Sequence, residues 1–137
     1  MDLSVIIVNY NVKEFLQNLL DSLQKAVSKI SHEIIVVDNA SDDGSVEFIR
    51  EKFPQITLIT NQTNLGFGKA NNIGLKQATG KYILLINPDT LVAEDTFEKM
   101  IQGDELIEYS HVYDDYKGNT MGRLFFGETA TFSIPCG

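Results

Sequence analysis

The chain has a single cysteine, Cys136, next to the last of its 137 residues. One cysteine excludes an intramolecular disulfide framework and any multi-cysteine metal site. A thiol at a chain end reads as a bystander. Basic residues are scarce as well: 11 Lys and Arg stand against 19 Asp and Glu, for a formal charge of −8 and a pI near 4.6. That balance excludes a protein that grips nucleic acid through a broad basic surface. It does not exclude an anionic small ligand, which backbone N–H groups, helix N-termini and a metal ion can hold without a basic patch. No apolar run approaches the roughly 20 residues needed to span a bilayer. No basic segment precedes the short apolar run at the N-terminus, so that run reads as a first strand and not as a secretory signal. A cytoplasmic location is the expectation, with docking at the inner face of the membrane through a partner left open. Internal repeats and low-complexity segments are absent.

What remains is an ordinary globular composition, 43% apolar and 22% charged, in a chain long enough for one core and too short for two ordinary domains. Residues 3–10 (LSVIIVNY) are β-branched and apolar and predict a buried strand. Phe15, Leu16, Leu19, Leu20, Leu23, Val27 and Ile30 then recur at three- and four-residue spacing, one face of an amphipathic helix. Residues 33–37 (EIIVV) predict a second buried strand ending at Asp38. A polar turn follows, then a short helix carrying Val46, Ile49 and Phe53 that Pro54 closes. Asp42, Asp43 and Ser45 read as capping residues of that helix.

Residues 55–60 predict a third strand. Residues 67–78 predict a third helix, ended by Gly80 acting as a C-cap glycine. Residues 82–86 predict a fourth strand, and residues 94–102 a helix bearing Phe97, Met100 and Ile101. Strand–helix alternation with strands apolar on both faces implies an α/β fold, a mainly parallel sheet flanked by helices. The pattern fails after Gln102. Residues 103–137 form an irregular tail in which 123–126 and 129–134 flank Gly127-Glu128 and could pair as a hairpin.

In parallel sheets of this kind ligands bind beyond the C-terminal ends of the strands. Tyr10, Asp38, residues 61–68 and residues 87–89 all fall at that edge. Pro88 fixes its own φ and biases Asn87 to an extended form, so the strand stops and Asp89 projects beyond it. Gly66-Phe67-Gly68 lets a ligand approach the backbone and leads into a helix N-terminus.

Residues 4–11 (SVIIVNYN), 36–45 (VVDNASDDGS), 64–74 (NLGFGKANNIG) and 80–89 (GKYILLINPD) occur in this order. Together they resemble the family 2 glycosyltransferases, inverting enzymes with a GT-A fold, over about residues 3–101. The variants Val-Val-Asp-Asn-Ala-Ser and Asn-Pro-Asp resemble the rhamnosyltransferase-like branch that makes bacterial surface polysaccharide. The resemblance implies a Rossmann-like half, residues 1–102, that binds a UDP- or dTDP-sugar. It implies nucleotide contacts from Asn9, Tyr10, Asp38, Asn39, Gly66, Phe67, Asn71 and Asn72, with Asp38 accepting from the ring N–H of a uracil or thymine. Asn87-Pro88-Asp89 falls at the family's Asp-x-Asp position, which implies that Asp89 holds Mg²⁺ or Mn²⁺ across the donor's two phosphates. Asn87 departs from that pattern and supplies no second charge. The acceptor would be a glycan or a lipid-linked glycan.

Two motifs are lookalikes. Residues 66–71 form a dinucleotide fingerprint lacking its third glycine and placed after the third strand. Residues 74–81 resemble a phosphate-binding P-loop with one residue too many, and Tyr82 replaces the hydroxyl residue. His32 and His111 have no matched partners and read as solvated. The general base an inverting transferase needs lies, in the family, far downstream of the Asp-x-Asp position. The catalytic base is therefore unknown here. Asp114, Asp115 and Glu128 are acidic candidates only by default, and the acceptor half is expected to be missing. The alternative is a non-catalytic module that binds a nucleotide or a partner. Nucleotidyl transfer is a weaker reading, since Val8-Asn9-Tyr10-Asn11 stands where a glycine- and arginine-rich loop would be needed.

Overall fold

The computed structural model of the chain describes residues 2–89 and the backbone of 123–124. Its elements run β1 (Leu3–Asn9), α1 (Lys13–Ala26), β2 (His32–Asp38), α2 (Ser45–Lys52), β3 (Thr57–Thr60), α3 (Phe67–Gln77), β4 (Tyr82–Ile86) and β5 (Arg123–Leu124). The strands form one sheet in the order β3-β2-β1-β4-β5. Every pairing in it is parallel. The α/β architecture with helices flanking a parallel sheet is therefore present. The helix expected over 94–102 and the second arm of the expected hairpin, 129–134, lie outside the described residues. So do Asp114, Asp115, Glu128, His111 and Cys136.

Alternation along β1 builds two cores. Leu3, Val5 and Ile7 face α1 and α2, where Leu16, Leu19, Leu20, Leu23 and Ile49 are buried with them. Ile6 and Val8 face α3 and pack with Ala70 and Leu75. All of β1 is buried, as a central strand covered on both faces must be. Phe15 was expected on the buried face of α1 but is 54% exposed. At about 100° per residue it lies well outside the arc swept by Leu16, Leu19, Leu20 and Leu23.

Two glycines are set by packing. A Cβ on Gly74 would sit 2.7 Å from Ile6 Cγ2, so the missing side chain lets α3 lie close on β1. Gly80 is not the C-cap its position suggests. The residue capping α3 is Ala78, in extended conformation. Gly80 instead crosses β1: a Cβ there would meet the Ser4 backbone N at 2.6 Å, and its own N–H donates to Ser4 Oγ at 2.8 Å.

At this N-terminal end of the sheet, Glu33 Oε2 accepts from Ser4 Oγ (2.5 Å), Thr79 N–H (2.6 Å) and Thr79 Oγ1 (2.8 Å). The bonds tie the α3–β4 turn to β1 and β2. Partial burial pushes the Glu33 carboxyl up, but these bonds outweigh it and hold the carboxyl below its ordinary range.

Candidate nucleotide-binding site

Successive connections carry the chain from β1 to β2 to β3 on one side, and β4 then returns to the other side of β1. The strand order therefore reverses between β1 and β4, the kind of position at which parallel sheets bind ligands. Asn9 and Asp38 are register partners at the ends of β1 and β2. The last β1–β4 pair is Ile7 with Ile86, so Asn87, Pro88 and Asp89 leave β4 at the same edge.

Asp38 is 1% exposed. Its Oδ1 accepts from Asn9 Nδ2 at 2.8 Å and its Oδ2 from the Ser41 N–H at 2.9 Å. Each carboxylate oxygen thus keeps a second lone pair for a ligand donor. Asn9 is fully buried, and its Oδ1 is an acceptor with no hydrogen-bond partner. Tyr10, between Asn9 and Asn11, is 48% exposed at the rim.

Asn39, 2% exposed, ties a second loop to the first. Its Nδ2 donates to Gly66 O at 3.2 Å, and its Oδ1 accepts from Asn61 Nδ2 at 2.9 Å and from the Leu65 N–H at 3.4 Å. Backbone bonds run alongside, from Asn39 N–H to Asn9 O and from Asn61 N–H to Asp38 O. Gly66 precedes α3 at φ 86°, a conformation that favours glycine. It gives α3 no side-chain cap, so the first-turn N–H groups keep their donor capacity toward an anion. Phe67 opens the helix and is half-buried. Asn71 is buried and donates Nδ2 to Phe67 O at 3.0 Å, within its own helix. Asn72 is buried beside it.

Three residues that hold this edge together lay within the segments read from the sequence but were given no role of their own there: Asn11, Ser41 and Asn61. Asn11 has φ 51° and Ala40 φ 65°, left-handed conformations that asparagine tolerates and alanine rarely adopts. The side chain of Asn11 accepts from the Asp42 N–H at 2.8 Å. An asparagine directly after a strand was the available signal. Asp43 caps α2 as expected and does more. The residue before α2 is Gly44, with no side-chain cap of its own. One oxygen of Asp43 accepts from Ser45, through both N–H and hydroxyl, and the other from the Lys13 N–H at 3.0 Å. A single carboxylate thus closes the N-termini of α2 and α1. Burial raises its pKa, but the bonds from Ser45 and Lys13 prevail and the net shift is downward. The same residue lines an open cavity of about 360 Å³ with residues 11–15 at the start of α1.

Asn87 and Pro88 are half-buried and Asp89 is exposed. Among the described residues no group of three or more His, Cys, Asp or Glu side chains converges as a self-sufficient metal cage. A lone exposed carboxylate fits a cation of the Mg²⁺ type that takes one or two protein ligands and completes its shell with water and substrate phosphate.

The profile of Glycosyl transferase family 2 matches residues 4–131. The chain belongs to this family. The match runs past residue 102 and includes β5. Among relatives, the Minor teichoic acid biosynthesis protein GgaB of Bacillus subtilis is 35% identical over 95% of this chain, which spans 14% of GgaB. The Poly(ribitol-phosphate) beta-N-acetylglucosaminyltransferase TarS of Staphylococcus aureus is 33% identical over 72% of the chain, which spans 18% of TarS. The chain therefore covers a minor part of either relative. Among solved structures, the fold is similar to that of the crystal structure of S. aureus TarS 1-349 in complex with UDP. It superposes with a TM-score of 0.68 at 29% identity over 74% of this chain and 31% of that one. The mannosyltransferase PcManGT from Pyrobaculum calidifontis, in complex with GDP-Man and Mn²⁺, gives 0.68 at 25% identity over 84% of this chain and 37% of that one.

Proposed function

We propose that this chain is the donor-binding half of an inverting glycosyltransferase and takes a UDP- or dTDP-sugar for transfer to a glycan or lipid-linked acceptor in bacterial surface polysaccharide. The observation that carries the reading is Asp38. It is a buried carboxylate, oriented by Asn9 and Ser41, at the strand end beside the reversal of the sheet. A carboxylate so placed accepts from a base that presents an N–H, as uracil and thymine do. Tyr10 supplies an exposed ring at the rim for the base. Gly66, Phe67 and the uncapped start of α3 offer backbone donors to phosphate, and Asn39 holds that loop in place. Asn71, bonded to Phe67 O within α3, and Asn72, buried beside it, would lie next to the nucleotide.

Asp89 would hold Mg²⁺ or Mn²⁺. When bound, the cation neutralises charge on the leaving nucleoside diphosphate. The relatives support this reading by their names: TarS is a transferase of N-acetylglucosamine with a UDP complex, and PcManGT has a complex with a nucleotide sugar and Mn²⁺. The finer assignment to a rhamnosyltransferase-like branch rests on residues 36–41 and 87–89 alone. We place residues 1–102 in the donor half and the transfer base beyond the described residues. We also place the protein at the cytoplasmic face of the membrane, where a lipid-linked acceptor would be met. No helix among the described residues is long and apolar enough to cross a membrane.

Thermal unfolding with UDP or dTDP, with and without Mn²⁺, tests the proposal. The expected result is a rise in melting temperature that needs both nucleotide and metal for its full size, and that Asp89→Ala reduces to the metal-free level. Absence of any rise with millimolar nucleotide and metal overturns it. Binding without sugar transfer or donor hydrolysis would instead mark the chain as a binding module.

A further inference from the structure

Resting on the proposed base-binding role of Asp38 and Tyr10, we infer that Ser41 is the positioning residue that sets the nucleobase preference of this site. Ser41 bonds directly to Asp38 and to the two residues that flank Tyr10. Its N–H donates to Asp38 Oδ2 at 2.9 Å. Its Oγ accepts from Asn9 Nδ2 at 3.3 Å and from the Asn11 N–H at 2.9 Å. Asn9 in turn donates the same amide to Asp38 Oδ1 at 2.8 Å. One hydroxyl therefore grips the β1–α1 turn on both sides of Tyr10, and it shares with the carboxylate the amide that orients it.

The local backbone makes the grip necessary. Asn11 at φ 51° and Ala40 at φ 65° flank the two ends of this brace, each in a conformation of higher energy than the extended or helical alternatives. The hydroxyl bond to Asn11 N–H holds the first of these turns, and the Ser41 N–H bond to Asp38 holds the second. Without the hydroxyl, Asn9 Nδ2 keeps Asp38 but loses its second acceptor, and the Asn11 turn is free to relax with Tyr10 on it. Asn9 is fully buried, so water does not readily replace the lost bond. Ser41 itself need not touch the nucleotide. Its effect passes through the angle of the Asp38 carboxylate and the placement of the Tyr10 ring.

Preference between UDP and CDP reads this out, because the two differ in the hydrogen-bonding edge of the base and share the diphosphate. Uracil presents an N–H where cytosine presents an acceptor, so an oriented Asp38 favours UDP. Calorimetric titration of the full chain with UDP and with CDP, both in Mn²⁺, is the experiment. The wild type is expected to prefer UDP. Ser41→Ala should narrow that preference about fivefold, which is what one lost hydrogen bond is worth, mainly by weakening UDP. Ser41→Thr, which keeps the hydroxyl, should restore it. Equal weakening of both nucleotides, or an unchanged ratio in Ser41→Ala, overturns the inference while leaving the donor-site reading intact. A wild type that binds UDP and CDP equally, or that binds none of UDP, CDP and dTDP, overturns the reading of Asp38 and this inference with it; one that takes only dTDP is read by the same ratio of dTDP to dCDP. Should circular dichroism show Ser41→Ala to be unfolded, Ser41→Cys, close in size and a weaker acceptor, is read by the same ratio.

Discussion

Replacing Asn39 by alanine separates two roles that its position allows: contact with the nucleotide, and retention of the loop over 61–66. In the structure the amide is spent on the loop. Nδ2 holds Gly66 O at 3.2 Å and Oδ1 holds Asn61 Nδ2 at 2.9 Å, while the contact to Leu65 N–H at 3.4 Å is long. Two sound bonds at a net of about 1 kcal/mol each, with little from the long one, put the loss near 2 kcal/mol. Leu65 and Gly66 are exposed, so their freed backbone groups find water and the loss stays at the low end of the range for buried partners. For a chain of this size that corresponds to a melting temperature lower by about 8 °C.

Hydrogen exchange gives the sharper assay. Asn39→Ala should speed exchange at the amides of 61–67 while the β1 and β2 amides remain protected. A double-mutant cycle with Asn61→Ala should return a coupling of about 1 kcal/mol. Zero coupling with unchanged exchange over 61–67 refutes the reasoning. If UDP binding disappears while melting temperature and exchange both stay at wild-type values, Asn39 is a ligand contact and not a latch.

The two packing glycines should rank differently. Gly80→Ala drives a Cβ into the backbone of the central strand and should destabilise by about 3 kcal/mol in urea unfolding. Gly74→Ala meets side chains alone, Ile6 Cγ2 at 2.7 Å and Val37 Cγ2 at 3.3 Å, and should cost less, so the reverse order would count against this packing. Acid sensitivity follows from Glu33 and Asp43, whose folded pKa values are both lowered. A lowered folded pKa means stability that is complete above the unfolded value, about 4, and is lost as pH falls through the folded value. Unfolding measured from pH 6 down to 3 should show that loss, and Glu33→Gln should flatten part of it. A profile identical to wild type in that variant would remove Glu33 from the account.

How much of this was legible in the sequence follows from the range of the forces involved. Strand and helix identity came from periodicity, which is local: the unbroken apolar run of β1 and the stripe Leu16, Leu19, Leu20, Leu23 each imply their burial. The placement of Asp38 at a strand end, and of the glycine loop before α3, followed from the same reading, while the family came from the resemblance of the motifs at residues 4–11, 36–45, 64–74 and 80–89. Where one neighbour decided, sequence sufficed.

The structure decided what depends on strand order. Because β2 lies beside β1 and β3 beside β2, residues about 30 apart in sequence meet at one edge. Ser41 there finds Asn9 and Asn11, Asn39 finds Asn61 and Gly66, and Asp43 reaches the start of α1. Nothing in the local pattern distinguishes these residues from ordinary turn and cap material, because a serine or aspartate after a strand satisfies the same propensities either way. Gly80 shows the same division. Its local pattern pointed to a helix-ending glycine, whereas Ala78 caps α3; the constraint that operates, the backbone of Ser4 2.6 Å from where a Cβ would sit, exists only once β4 has returned to lie against β1.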